Sequence, residues 1–138
     1  MAPDPADGGP AFDVVTDGGL DAFGELLNDA PYAPFTLNFG PESFLANELP
    51  RDEFFVRLRA GDPHPTTSQP SPEEFAALYR DAKRPLLVIT ISSGLSGSMN
   101  AADQARALVP DAQITLHDCR TLSAAQAFQV HAAMTARD

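Results

Sequence analysis

From residue 12 the chain opens with a short apolar run, Phe12, Val14 and Val15, stopped by Gly18 and Gly19. This predicts a first strand over residues 12–17 and its turn. Leu20, Phe23, Leu26 and Leu27 then recur at helical spacing and Pro31 closes that stretch, which predicts a helix. Residues 35–39, Phe-Thr-Leu-Asn-Phe, alternate apolar and polar before Gly40, as a half-buried strand does. A loop leads to Pro50, after which Phe54, Phe55 and Leu58 form one apolar helical stripe. Pro63 and Pro65 exclude both a helix and a central strand at that point.

The second half is more regular. Ser71 supplies a helix-capping hydroxyl, Pro72 suits the first helical position and Glu74 completes a capping box, with Phe75, Leu78 and Tyr79 on the buried face. Pro85 ends that segment. Residues 86–91 are a nearly continuous apolar run with β-branched members, the pattern of a strand covered on both faces. A Gly/Ser loop over residues 92–98 leads into a helix carrying Met99, Ala102, Ala105, Leu108 and Val109, stopped by Pro110. Residues 114–117 predict another strand, and Ser123 is placed to cap a last helix, which shows no stop signal before Asp138 and looks cut. Strands alternating with helices predict an α/β fold, a mainly parallel sheet flanked by helices, over residues 12–138. Residues 1–11, with three Pro, two Gly and two Asp, read as a disordered tail.

Composition narrows the function classes. The 138 residues fit one domain, and 43% hydrophobic residues are enough for one buried core. Nine Lys+Arg against nineteen Asp+Glu give a net charge of −10, which argues against nucleic acid and against charge-driven membrane binding. The single cysteine, Cys119, excludes an internal disulfide and suits a reducing compartment. No basic, apolar leader opens the chain and no stretch approaches the ~20 apolar residues of a membrane span. A cytoplasmic protein is the expectation.

Two polar segments exceed what connectors need. One is Thr66-Thr67-Ser68-Gln69-Pro70-Ser71-Pro72; the other spends four serines and two glycines in residues 92–98. The second follows the best buried strand, and ligands of open α/β sheets gather at the carboxyl ends of strands. A helix starting near Gly97 turns unpaired N–H groups toward the same spot. Hydroxyls and amides without a lysine suit a singly charged carboxylate better than a polyphosphate.

These segments, TTSQPSPEEF at residues 66–75 and VITISSGLSGS at residues 88–98, resemble the signature of the DegV family of bacterial fatty-acid-binding proteins. The order of the strands and loops around them is similar across residues 12–138. The resemblance implies an N-terminal α/β domain that holds the carboxylate of a long-chain fatty acid, the tail lying in an apolar tunnel shared with a second domain. It carries the head-group contacts onto Thr67 and Ser93; Ser92, Ser96 and the backbone of Gly94 and Gly97, in the same loop, are the supporting candidates. It also implies a fatty acid kinase as partner, which forms an acyl phosphate for phospholipid synthesis, so neither a catalytic residue nor a cofactor beyond the bound acid is expected. The chain departs from the family at Gly18, where a serine is usual, at residues 41–48, and at Cys119, where Asp-Ser is common, and the second domain is expected to be missing from these 138 residues.

Two other readings compete. A small serine hydrolase could use Ser96, although Gly94-Leu95-Ser96-Gly97 brings its second glycine one residue early for a nucleophile elbow. Its base would be His117 or His131 with Asp118 as orienter, yet His117 and Asp118 are neighbours on one strand and point to opposite faces. A truncated product with a fold and no retained activity is the third reading. The histidines, Cys119 and the carboxylates show no metal-ligand spacing, and the phenylalanines from Phe35 to Phe55 read as ordinary core.

Overall fold

The computed structural model describes residues 9–21, 30–61 and 63–137. The expected tail lies, over residues 1–8, outside the described residues, as does the helix expected around Phe23, Leu26 and Leu27. In chain order the elements are β1 (Asp13–Asp17), β2 (Tyr32–Ala33), β3 (Thr36–Phe39), β4 (Glu42–Leu45), α1 (Arg51–Ala60), β5 (Thr66–Ser68), α2 (Pro72–Asp81), β6 (Leu86–Thr90), α3 (Ser98–Arg106), β7 (Ile114–Asp118) and α4 (Ser123–Arg137). They form the expected α/β fold, but with two sheets rather than one.

The larger sheet is wholly parallel, in the order β2-β1-β6-β7. Val15 lies opposite Val88, and Val88 opposite Leu116. Successive side chains of a strand leave by opposite faces. Leu86 and Val88 accordingly join Phe75 and Tyr79 of α2 and Ala101, Ala102 and Ala105 of α3, while Leu87 and Ile89 join Val14 of β1 and Val130 of α4. Both faces are covered, as the unbroken apolar run of β6 requires. The Tyr79 hydroxyl donates to the Ala102 carbonyl at 2.9 Å and ties α2 to α3. The capping box is present: Glu74 N–H donates to Ser71 Oγ at 3.2 Å, and Ser71 N–H donates to Glu74 Oε2 at 2.7 Å.

Two helix boundaries differ from expectation. α3 stops at Arg106, and Leu108 is 47% exposed. Ala107, Leu108 and Val109 donate to carbonyls three residues back, a tightened turn ahead of Pro110. Ser123 does not cap α4: its φ is 56°, its amide donates to the Gly19 carbonyl and its hydroxyl donates to Asp21 Oδ2 at 2.9 Å.

The smaller sheet is antiparallel, in the order β4-β3-β5. The stretch expected to be a loop up to Pro50 contains β4, folded back on β3 through Gly40, whose φ of 57° favours glycine. Thr66–Ser68, expected within a loop, is a strand because its backbone pairs with β3, Leu37 facing Thr67. α1 packs here, with Phe54 edge-on to Phe39 at 6.0 Å. Its apolar stripe is not a core stripe, since no α1 residue is buried. Arg57 instead spans the rings of Phe39 and Phe44, at 5.5 and 5.0 Å, and pairs with Glu42 at 2.8 Å.

Candidate binding site at the strand ends

Asp17, at the carboxyl end of β1 beside that of β6, is fully buried. Its Oδ2 accepts from the Ile91 amide at 2.9 Å and from the Ser98 hydroxyl at 2.6 Å. Its Oδ1 accepts from the Gly19 amide at 3.0 Å and from Gln126 Nε2 at 2.9 Å. Four donors from four parts of the chain satisfy this carboxylate, as burial of a charge demands. They also fix where the Gly/Ser loop leaves β6 and where α3 begins. Sequence reasoning did not single out Asp17; the available signal was a polar residue ending an apolar run just before two glycines. Gly19 is needed there, because a Cβ would lie 2.7 Å from Ile91 Cβ.

The loop is built by its own serines. The Ser92 carbonyl accepts from the amides of Leu95 and Ser96, and Ser92 Oγ accepts from the Gly94 amide at 3.2 Å. Ser96 Oγ accepts from the Ser98 amide at 3.2 Å, satisfying one of the first amides of α3. Ser93 points to β7: its hydroxyl donates to Asp118 Oδ2 at 2.5 Å and its amide to Oδ1 at 3.2 Å. The Arg120 amide adds a bond to Oδ1 at 2.9 Å. The Ser93 hydroxyl, followed by the Arg120 amide, holds the Asp118 carboxyl below the usual carboxylate range, outweighing a small opposing effect of burial.

Ser93, Ser96 and Gly97 share the wall of an open groove of about 570 Å³ with Met99, Asn100 and Arg106. Thr67, Ser92 and Gly94 are not among its walls. Thr67 is exposed on β5. The two polar segments nevertheless touch: a Cβ added to Gly97 would lie 2.2 Å from Gln69 Oε1. The Thr67 Cα is at most roughly 7 Å from the Gln69 Cα, two residues of chain away.

Two of the groups that the hydrolase reading would use, His117 and Asp118, are engaged with other partners. His117 Nε2 is 3.0 Å from Gln129 Oε1, and Asp118 serves Ser93 rather than a histidine. Cys119 is buried, its thiol donates to the Thr121 carbonyl, and burial raises its pKa, opposite to an activated thiol. Among the described residues no group of His, Cys, Asp and Glu is disposed to hold a metal ion. No described helix is long and apolar enough to cross a membrane.

A parallel sheet covered on both faces, with its Gly/Ser loop opening a helix at the strand ends, defines an α/β domain with a polar cleft at the edge of the sheet. The sequence model of the DegV family, described as uncharacterised proteins, matches residues 11–138. The chain belongs to the DegV family. It is 55% identical over 129 residues to a DegV domain-containing protein of Deinococcus radiodurans, covering 92% of this chain and 45% of that protein. A fatty-acid-binding DegV family protein from Thermus thermophilus superposes with a TM-score of 0.77 at 30% identity, over 89% of this chain and 46% of the other. A stearic-acid-binding protein from Eubacterium ventriosum does so with a TM-score of 0.79 at 28% identity, over 92% and 49%. The chain therefore spans about half the length of these relatives.

Proposed function

We propose that this chain binds a long-chain fatty acid by its carboxyl head at the strand ends and presents it to a fatty acid kinase. Thr67 and Ser93 contact the head, and Ser92, Ser96, Gly94 and Gly97 shape the loop that receives it. The observation that carries this reading is the seating of Gln69 on Gly97, which brings the Thr67 segment onto the Ser93 loop although they are far apart in sequence. Met99 and Asn100 of the first turn of α3, whose amides lack intrahelical acceptors, line the same groove, which supplies donors for the oxygens of a carboxyl head. Fatty acid binding by the Thermus and Eubacterium proteins supports the choice of ligand. The acyl phosphate chemistry would be the kinase's.

Burying the tail contributes ~0.8 kcal/mol per CH₂, whereas a hydrogen bond to a charged group contributes ~1.5–3 kcal/mol. The tail should then set affinity and the hydroxyls the choice of head. Calorimetric titration with stearic acid and with its methyl ester tests this. Thr67→Val combined with Ser93→Ala is expected to weaken the acid by about tenfold or more and to leave the ester nearly unchanged. Equal losses for the two ligands would remove the head-group role.

A further inference from the structure

We propose that Asp118 is a positioning residue that makes the cleft selective for a head group carrying its own proton, so that the acid binds as neutral RCOOH. This rests on the fatty-acid reading above. A serine has one hydroxyl proton and one amide proton to give. Ser93 gives both to Asp118, at 2.5 and 3.2 Å. Asp118 is anionic at neutral pH, since its carboxyl is held below the usual range.

Ser93, and not Asp118, lines the groove, and with its proton turned inward it offers the groove lone pairs. A fatty carboxylate arriving there meets acceptor with acceptor, and a second carboxylate lies roughly 5 Å away, two hydrogen-bond lengths on. A protonated acid meets the same face as a donor, giving a chain from the acid O–H to Ser93 Oγ and from the Ser93 O–H to Asp118. The balance is RCOO⁻ plus one proton from solvent becoming bound RCOOH; no protein bond is made or broken, and release returns the proton.

The charged and titratable neighbours fit this arrangement. Arg120 follows on the same strand end; its amide donates to Asp118 and its positive charge also helps to keep that carboxyl ionised. Across the groove on α3, Asp103 and Arg106 pair with each other at 3.2 Å. From β1, Asp17 is satisfied by its four donors. Next to Asp118, the Cys119 thiol is kept protonated by burial. His117 faces Gln129 of α4, not Ser93.

The experiment is calorimetric titration with stearic acid, delivered as monomer from cyclodextrin, between pH 6 and 8. In the wild-type protein affinity should fall about tenfold per pH unit, with one proton taken up per ligand. That uptake is read from the dependence of the heat on the buffer's ionisation enthalpy. Asp118→Asn frees the Ser93 hydroxyl to donate, so its pH slope should flatten toward zero and its affinity at pH 8 should exceed that of wild type. The matching primary amide, a neutral head with donors of its own, should bind independently of pH. A flat wild-type profile, or a slope that survives in Asp118→Asn, would overturn the proposal while leaving acid-over-ester discrimination, and hence the carboxyl reading, in place. Failure of the acid to bind at any pH removes both. If Asp118→Asn does not fold, the buffer dependence of the wild-type heat still decides.

Discussion

The two sheets of this chain are held by different means. In the parallel sheet, Val88 of β6, Ala102 of α3, Phe75 of α2 and Val130 of α4 are each 0% exposed, and two apolar clusters fill the layers above and below. In the antiparallel sheet, Phe39 is the one strand residue that is buried, and α1 buries nothing. Its parts are joined by ring edges and by Arg57, spread over two phenylalanines and paired with Glu42 and Glu53. One region gains its stability from apolar area. The other is a small appendage whose geometry delivers residues 66–70 to the rim of the first. Local openings should concentrate where buried contacts are few.

The largest effect is expected in the parallel layers. Phe75→Ala removes a ring that is 0% exposed and packed at 6.2 Å from Tyr79. A loss of about 3–5 kcal/mol is expected, mostly lost apolar contact plus the cavity left behind. Denaturant unfolding followed by circular dichroism measures it, and a loss under about 1 kcal/mol would break the contrast between the two regions. Phe54→Ala should cost less, about 1–2 kcal/mol, because that ring is only half-buried and makes edge contacts with Phe39 and Phe55. Native-state hydrogen exchange sharpens the test. The amides of β3 and β5 should exchange faster in Phe54→Ala, while those of β1 and β6 hold their protection.

The same difference decided what could be read in the sequence. β1 and β6 were legible because a strand covered on both faces needs an apolar run, and Val14, Val15 and residues 86–91 supply one; β7, at the edge, shows instead the alternation of Ile114 and Leu116 with exposed Thr115 and His117. α2 was legible from Ser71, Pro72 and Glu74, a local device that works wherever it occurs. β5 was not, because Thr66, Thr67 and Ser68 are all exposed and become a strand only through pairing with β3. β4 was missed for a similar reason: two of its four residues are exposed, and its partner comes through a tight turn. Within the cleft, the Gly/Ser loop and the start of α3 were legible from residues 92–98. The role of Asp17 was not, because its four donors come from Gly19, Ile91, Ser98 and Gln126, and their convergence is a property of the fold. Nor did the sequence reveal that Ser93 is bound to Asp118, 25 residues away.

The smallest effect belongs to the polar rim and shows how differently it is held from the layers beneath. The Asp118 carboxyl is exposed enough that its bonds should add little to stability at neutral pH. Their mark is in titration. A carboxyl whose folded-state pKa is depressed adds stability above its unfolded value, about 3.9, and loses it as the pH falls through the folded value. Ser93→Ala removes the largest cause of that depression and leaves the amides of Arg120 and of residue 93 and the Arg120 charge. The Asp118 carboxyl resonance should then titrate at a higher pH than in the wild-type protein. The mutant should also lose less stability across the acid window, with no more than a slight change near pH 7. An unmoved midpoint would mean that Ser93 does not hold this carboxyl, and Asp118 could then have no hold on the serine's proton.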